Sequence, residues 1–431
     1  MRLELGTFPV KDVAFGRCTQ YRDGLLEVDR AGLLAALRSD TRLAGVDLVL
    51  ARPGESVRIT ALRDIIEPRT KVRGTGTVYP GVCGRPVNTV GTGRTHCLSG
   101  VGVVEVAAVR PHEGLTGNAW AYMDMSGPGA ESIPEAALIN LCVVMQVDSS
   151  LHVEDQNAAV HSAALLVADR LAEAVRDAEP PEMETFELSN VDPSLPKIAY
   201  IMCLGSPEHY SGSLTAFGTA IYGLTRLTPP WVLHPNELLD GAINSRASWT
   251  HVNNPVVLEL YRSHGKSLCF VGCVAIRTRW SSQAEKDVTS RQAAKMAKML
   301  GADGAIITWD SGGNDFMEVI RTVQACEQIG VKAVLMTLEE SPDSGGPPLL
   351  EPLPEADAII STGVGGANTA VSAMMGRGDM LPPVQKVIGI SELPLTDDPH
   401  AARVTVPASG PVPASRGSDR YGFFRRSGFS Y

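Results

Sequence analysis

The sequence is poor in aromatic residues, in long apolar runs and in positive charge. The first shortage predicts the type of core, and the other two argue against classes of protein. Only 5% of the 431 residues are aromatic, so an aliphatic core is expected. No apolar run approaches the ~20 residues that span a bilayer. The first residues, MRLELGTFPVKDVAFG, carry charges and lack the apolar stretch of a signal peptide. With 38 Lys and Arg against 48 Asp and Glu, the net charge is −10, which argues against nucleic-acid binding and against docking on an anionic membrane.

The eight cysteines are scattered, and several lie inside apolar segments such as LCVVM and LCFVGC. Eight thiols in 431 residues do not form a disulfide framework, so we expect reduced, mostly buried cysteines in a cytoplasmic protein. Cys269 and Cys273 share one apolar strand and would lie ~13 Å apart, too far for one metal ion. His161 reads as an ordinary boundary histidine, and no metal site is predicted.

Hydrophobic periodicity predicts two kinds of fold along the chain. Residues 1–178 read as a β-rich α+β domain with one helix near 30–38 and a final helix near 154–176. Residues 197–400 read as an α/β domain, because helices near 285–300 and 315–329 each end at a glycine and lead into a short apolar strand. Such repeated units predict a mainly parallel sheet.

Composition separates these two predicted domains from a linker and a tail. Residues 179–196 contain four prolines and many acidic side chains, which is typical of a linker. Residues 401–431 carry five arginines without apolar periodicity, and we expect a disordered basic tail. The alternative for this tail is docking on an acidic partner.

Nucleotide-binding motifs are incomplete. The loop TGVGGAN at 362–368 has Asn368 in place of the third glycine, and HGKS at 264–267 has Leu260 where a phosphate loop needs glycine. Loops at the carboxyl ends of strands are nevertheless where open α/β sheets bind ligands. Two loops stand at such ends, TGVGGAN at 362–368 and WDSGGN at 309–314, and either could line a site. The second makes Asp310 and Asn314 candidate substrate-binding residues, with helix capping as the alternative.

The densest group of polar side chains lies at 233–254, in LHPNELLDGAINSRASWTHVNN. So many amide, hydroxyl and imidazole groups beside apolar flanks indicate a functional loop. The alternative is a surface loop that uses Asn and Ser in turns. The residues selected here are His234, Asn244, Ser245, Ser248, His251, Asn253 and Asn254.

Five ordered segments give the chain a family resemblance. They are RLELG at 2–6, ARPGESVRI at 51–59, DMSGPGAE at 124–131, DGAI at 240–243 and HVNNPVVLELYRSHGKSLCFVG at 251–272. In these segments the chain resembles the component B proproteins of glycine, sarcosine and betaine reductases. The likeness covers residues 1–395 and leaves out the basic tail.

The resemblance implies a proprotein that cleaves itself in the loop before the segment that starts at His251. There a cysteine of the family becomes a pyruvoyl group, whose carbonyl accepts an amine and serves as an electron sink. It also implies a redox-active partner subunit whose selenol or thiol displaces the amine of the substrate.

The sequence departs from the family at the processing position, because no cysteine stands between Cys203 and Cys269. Ser245 follows Asn244 as the family's cysteine follows an asparagine, so a pyruvoyl group derived from Ser245 is one hypothesis, with His251 as the base. Ser248 is a second candidate nucleophile. The third alternative is an uncleaved chain without a cofactor, in which Asn253 or Asn254 caps the following helix.

The resemblance therefore predicts a subunit of a glycine/sarcosine/betaine reductase-like hetero-oligomer. It would bind a small amino-acid- or betaine-like substrate for reductive C–N cleavage with a thiol- or selenol-bearing partner subunit. The alternatives are a non-catalytic scaffold that positions the redox partner, or a biosynthetic reductase with another substrate.

Overall fold

The computed structural model describes residues 1–107, 109, 122–131, 133–205, 220–223, 230–244, 247–278, 282–310, 316–339, 353–364, 384–389, 392–394, 403–405 and 421–423. The strands of the first half are β1 Arg2–Pro9, β2 Asp12–Gly16, β3 Gln20–Arg22, β4 Leu25–Asp29, β5 Leu43–Ala51, β6 Val57–Ile59, β7 Leu62–Ile66, β8 Arg69–Arg73, β9 Gly93–Ser99, β10 Val101–Ala107, β11 Met123–Asp124 and β12 Ile139–Val147. The helices of this half are α1 Arg30–Arg38, α2 Pro128–Glu131 and α3 Val153–Ala172.

The second half contains the remaining strands and helices of the described chain. Its strands are β13 Glu182–Glu187, β14 Lys197–Gly205, β15 Ala220–Ile221, β16 Trp231–Leu233, β17 Ile243–Asn244, β18 Cys269–Thr278, β19 Gly304–Trp309, β20 Lys332–Glu339, β21 Ile359–Val364, β22 Lys386–Ile388, β23 Glu392–Pro394 and β24 Arg403–Thr405. Its helices are α4 Pro235–Leu239, α5 Ser248–Val252, α6 Pro255–Ser263, α7 Gln283–Met299 and α8 Phe316–Gln328.

The N-terminal half contains two four-stranded mixed sheets beside smaller ones. One has the order β13-β1-β9-β8 and the other the order β5-β12-β10-β7. Helix α3 packs on β10 and β12, and its buried alanines, valines and leucines continue the core of these strands. The small side chains of α3, such as Ala159, Ala163 and Ala164, allow the helix to approach the sheet closely.

The C-terminal half holds a sheet of order β16-β18-β14-β19-β20-β21, in which every pairing except β16 with β18 is parallel. Helices α7 and α8 connect its strands, and Gly301 and Gly330 follow these helices with φ of 82° and 72°. Only glycine adopts this left-handed conformation without strain, which explains why both helices end there. The predicted fold class, a β-rich α+β region followed by an α/β region with a mainly parallel sheet, is confirmed.

Several strand pairings join regions that composition assigns to different domains, to the linker or to the tail. Strand β13 lies inside the predicted linker 179–196 and pairs antiparallel with β1. Strand β22, at 386–388, pairs with β6 of the N-terminal half. The predicted basic tail contains β24, which pairs with β23. The domain boundaries themselves stay a prediction.

The eight cysteines all lie in described residues, and most of them are buried. All eight cysteines are free, and Cys203 and Cys273 are fully buried, whereas Cys269 is half-buried. Among the described residues, no helix has both the length and the apolar character needed to cross a membrane.

Candidate functional site

The polar segment 233–254 lies between the N-terminal sheets and the parallel sheet, and we call it the junction segment. The structure describes all of it except residues 245 and 246. Several of its side chains bond to the N-terminal half. Thr250 Oγ1 donates to Glu135 Oε1 at 2.9 Å, and Asn253 Nδ2 donates to Glu67 Oε1 at 3.2 Å. Much of the polarity seen in the sequence therefore satisfies hydrogen bonds across an interface.

Asp240 is the anchor of the junction segment and is fully buried. Its carboxylate accepts hydrogen bonds from Thr95 Oγ1 at 2.6 Å and from the Gly91 amide at 2.7 Å. It also forms an ion pair with Lys71 Nζ, whose side chain is 6% exposed. The buried charge is thus matched by groups of β8, β9 and the loop between them.

Arg69 of β8 is a second buried side chain that holds the junction segment. Its guanidinium donates to Leu239 O at 2.5 Å and to Val252 O at 3.3 Å, and it pairs with the Glu67 carboxylate. These two carbonyls lie at the ends of α4 and α5. A single buried side chain therefore sets the spacing of the two short helices.

Asp64 of β7 holds the start of α5. Its Oδ1 accepts from the Ser248 amide at 2.7 Å, and its Oδ2 accepts from Ser248 Oγ at 2.7 Å. Asn244 Nδ2 donates to Ser248 Oγ and, at 3.4 Å, to Asp64 Oδ2. The preceding residue, Ala247, has φ of 62°. This conformation is strained for a residue other than glycine, so a strained residue precedes a serine whose amide and hydroxyl contact one carboxylate.

Asp64 belongs to a buried group of ionisable side chains with Glu105 of β10 and His161 of α3. Their ligand atoms lie within 4.8 Å of one another. Sequence analysis predicted a boundary position for His161, but its side chain is 5% exposed and Nδ1 contacts Glu105 Oε1. Burial and the Glu105 carboxylate raise the pKa of Asp64 to about 7. Burial acts to lower the pKa of His161, but the Glu105 and Asp64 carboxylates together outweigh burial and raise the pKa.

These three groups could hold a cation, but the chain already supplies donors and positive charge. The oxygens of Asp64 accept from Ser248 and from the amide of Ile65. Arg63 is buried beside the carboxylates, and its guanidinium donates to Asn157. Burial lowers the pKa of Arg63 to about 10. The group is therefore a charge-balanced network in the described chain, and no metal is assigned to it.

His251 of α5 lies near the carboxyl edge of the parallel sheet, whereas Trp249 packs against the apolar cluster of the N-terminal half. His251 is 2% exposed, and burial lowers the pKa of its imidazole to about 4, against a smaller opposing effect of the Asp310 carboxylate. Asp310 follows β19 and accepts a hydrogen bond from the Gly205 amide at the end of β14. The carboxyl edge of the parallel sheet and the junction segment therefore meet here, where open α/β sheets bind ligands.

The buried neutral imidazole of His251 predicts a dependence of stability on pH. Its folded pKa of about 4 lies below the ordinary value, so the unfolded chain binds more protons as the pH falls. Stability from this group is complete above about pH 6.5 and is lost as the pH falls toward 4, by at most about 1.4 kcal/mol per pH unit. We expect His251→Gln to flatten the slope of unfolding free energy between pH 6.5 and 4.5, measured by urea denaturation. His152 is exposed, and His152→Gln is the control that should keep the slope. An unchanged slope in His251→Gln contradicts the assignment.

The remaining predicted site residues have local structural contacts. His234 caps α4, with Nδ1 accepting from the Asn236 amide, and Asn254 caps α6 by accepting from the amides of Val256 and Val257. Capping by Asn254 was the alternative foreseen for this residue. Asn244 and Asp310 lie at the site as described above, whereas Ser245 and Asn314 lie outside the described residues.

Sequence analysis missed Asp64, Glu105 and Trp249. The dipeptide Arg63-Asp64 stands inside a strand that is buried along its whole length. Two adjacent opposite charges between apolar residues of a strand were the sequence feature that could have indicated a buried polar site. Glu105 lies likewise inside the fully buried strand β10. Trp249 gave no signal beyond its place in the junction segment.

Comparison with known proteins finds similar sequences over nearly the whole chain. The family described as glycine/sarcosine/betaine reductase component B subunits matches residues 1–398. The sarcosine reductase complex component B subunit alpha of Peptoclostridium acidaminophilum is 36% identical over 407 residues, covering 90% of this chain and 92% of that protein.

Two further relatives are named glycine reductase complex component B subunits alpha and beta. The one from Peptoclostridium acidaminophilum is 35% identical over 406 residues, and the one from Acetoanaerobium sticklandii is 34% identical over 405 residues. Each alignment covers 90% of this chain and 89% of the relative. No solved structure matches the chain. By its sequence over nearly its whole length, the chain belongs to the family of glycine/sarcosine/betaine reductase component B subunits.

Proposed function

We propose that the chain is the substrate-binding subunit of a multi-subunit reductase that cleaves a C–N bond of a small amino-acid- or betaine-like substrate. The observation that carries the proposal is the family match over residues 1–398, which includes the junction segment and the parallel sheet beside it. The relatives are named as components of glycine and sarcosine reductase complexes, so membership in a hetero-oligomer follows from the family.

The partner that we propose is a subunit with a reactive thiol or selenol. Within this chain, burial raises the pKa of the thiols of Cys97 and Cys326, and that of Cys203 well above its usual value, so these thiols are poor nucleophiles at neutral pH. A nucleophile supplied by another subunit fits this chemistry. The free cysteines also fit a reducing compartment, and we place the protein in the cytoplasm.

The partnership is tested by capture of the full-length chain from its own cells under reducing conditions, with protein identification by mass spectrometry. We expect a reductase subunit with a Cys or selenocysteine motif to copurify in a fixed ratio to the chain. Recovery of the chain alone at native expression levels contradicts the partnership.

We propose further that Ser248 is a nucleophile for self-processing, beside the sequence-based candidate Ser245. The support is the strained Ala247 before it and the contact of both its hydroxyl and its amide with Asp64. In the proposed step Ser248 Oγ attacks the carbonyl carbon of Ala247, and Asp64 accepts the hydroxyl proton. The C–N bond then breaks, and the proton passes to the Ser248 nitrogen, which leaves an ester.

A second step would convert this ester into a pyruvoyl terminus. Loss of the Ser248 α-proton and of the Ala247 carboxylate, followed by reaction with one water, releases ammonia and leaves the carbonyl group. That group would supply an electrophile and electron sink for an amine substrate. Asn244 would orient the hydroxyl in the first step, since its amide contacts Ser248 Oγ.

Processing is checked by intact mass and a carbonyl reagent on the purified chain and on the variants Ser245→Ala and Ser248→Ala. We expect one fragment that ends at residue 247 and a smaller one that begins at residue 248 and reacts with hydroxylamine. We expect a single chain in Ser248→Ala. Fragments that meet at residue 245 and disappear in Ser245→Ala assign the reaction to Ser245 instead. A single 45.8 kDa chain without a carbonyl group contradicts both assignments.

A further inference from the structure

A β-bulge between β7 and β10 brings charged side chains of β7 to one face of helix α3. The register of the two strands shifts beside Glu105, so that Arg63 and Asp64 together oppose this single residue. In a regular strand two neighbouring side chains would point to opposite faces. Here the Arg63 guanidinium donates to Asn157, and an oxygen of Asp64 lies within 4.8 Å of a ring nitrogen of His161. Asn157 and His161 are one turn apart on α3, so the bulge delivers both charges of β7 to the same face of this helix.

The Asp64 carboxylate contacts both atoms between which the proposed cleavage moves a proton. Its Oδ2 accepts from Ser248 Oγ at 2.7 Å, and its Oδ1 accepts from the Ser248 amide at 2.7 Å. Because Asn244 Nδ2 donates to the same hydroxyl oxygen, the hydrogen of Ser248 Oγ is directed at Asp64. A base in this position must be ionised before the attack and must release its proton afterwards. Both conditions are met best when the pKa of the base lies near the working pH.

Glu105 and His161 act on the pKa of Asp64 with opposite signs. Burial and the negative charge of Glu105 raise this pKa to about 7, against the positive charge of His161, which lowers it. His161 Nδ1 contacts Glu105 Oε1, and the two residues are 5% and 2% exposed, so both charges act on Asp64 with little screening by water. The protonation state of Asp64 therefore depends on two groups from α3 and β10, outside the junction segment.

The other titratable groups around this network keep one charge state near neutral pH. Desolvation raises the pKa of the Tyr79 hydroxyl and of the Cys83 thiol, so both stay neutral. Arg63 and Arg85 stay positive, since even the pKa of Arg63, which burial lowers, is about 10. Near neutral pH, titration in this part of the described chain is therefore confined to the group around Asp64.

We propose that Glu105 and His161 are positioning residues that set the protonation state of Asp64 and thereby the pH range in which Ser248 cleaves the chain. The imidazolium of His161 favours the ionised carboxylate, which can take the hydroxyl proton. The carboxylate of Glu105 keeps Asp64 basic enough to hold that proton until it passes to the Ser248 nitrogen. This inference rests on the proposed self-processing at Ser248 and adds the two groups that tune its base.

The inference is tested by the rate of cleavage of the freshly translated full-length chain, shifted into buffers from about pH 5 to about pH 9 and followed by intact mass. We expect the rate to rise with the ionisation of Asp64. His161→Gln removes a positive charge, so the midpoint of this rise should move up by about one pH unit. Glu105→Gln removes a negative charge, so the midpoint should move down by about one pH unit. The double variant removes both charges, and its midpoint should lie between those of the single variants.

Glu135→Gln is the matched control, because this buried carboxylate accepts from Thr250 of α5 and lies outside the group of three. It should keep the midpoint of the parent. Equal midpoints in the parent and both single variants overturn the inference, and so do shifts in the same direction, which lost packing would explain.

A single variant that is not cleaved at any pH is judged by the double variant. Cleavage restored by removal of the second charge supports the inference, and a double variant that stays intact overturns it. A parent chain that is never cleaved at Ser248 contradicts the proposed self-processing and this inference with it, and leaves the proposed partnership standing.

Discussion

Replacing Asp240 by alanine is expected to lower the free energy of unfolding by about 3–5 kcal/mol, since breaking a buried ion pair leaves an unmatched charge. The variant leaves Lys71 Nζ, Thr95 Oγ1 and the Gly91 amide without their acceptor. Because these groups lie in the N-terminal half, loss of the Asp240 carboxylate also weakens the attachment of the junction segment to that half. Urea denaturation of the full-length chain measures the effect.

Asp240→Asn is the matched variant for this position. Its amide oxygen can still accept one or two of the three hydrogen bonds, so a smaller loss than in Asp240→Ala is expected. Equal stability of Asp240→Ala and the parent would show that the carboxylate does not anchor the junction segment.

The second large effect is expected at Arg58. Its guanidinium is fully buried and pairs in bidentate form with Asp124, with Nε to Oδ1 at 2.6 Å and Nη2 to Oδ2 at 2.8 Å. The Tyr122 ring lies 5.4 Å from the guanidinium carbon. Arg58→Met leaves the Asp124 carboxylate buried without its partner, and we expect a loss of about 3–5 kcal/mol in unfolding free energy.

The double variant Arg58→Met with Asp124→Leu is the control, because replacing both charges by apolar groups is often close to neutral. Thermal unfolding should place the double variant well above Arg58→Met alone. If the double variant is as unstable as the single one, lost packing rather than an uncompensated charge explains the effect.

Local signals predicted the C-terminal half well, because its elements follow one another along the chain. The helices α7 and α8 carry apolar residues at helical spacing and end before Gly301 and Gly330, whose backbone then turns into the next strand. The N-terminal sheets could not be predicted in this way. Strand β1 pairs with β9 and β13, and β6 pairs with β22 more than 300 residues away. Such pairings depend on the fold as a whole, not on neighbouring residues.

The candidate site was predicted only in part for the same reason. The polar residues of the junction segment stand together in the sequence, and the structure brings Asn244, Ser248 and His251 to one region. The carboxylate that holds Ser248 comes from Asp64, however, and its neighbours Glu105 and His161 come from two further elements. The contacts of Tyr421 and Phe423 with α5 were not predicted, because a few aromatic residues among arginines give no periodic signal.

The central claim is that this chain acts as the substrate-binding subunit of a C–N-cleaving reductase. The most direct measurement is amine release by the purified chain combined with its copurified thiol or selenol partner and a dithiol reductant. Glycine, sarcosine and trimethylglycine are supplied separately, and ammonia, methylamine and trimethylamine are quantified. The account predicts that one amine is released in amounts that scale with the chain and that none is released without it. Release of no amine from any of the three, by a complex that contains both subunits, would contradict the account.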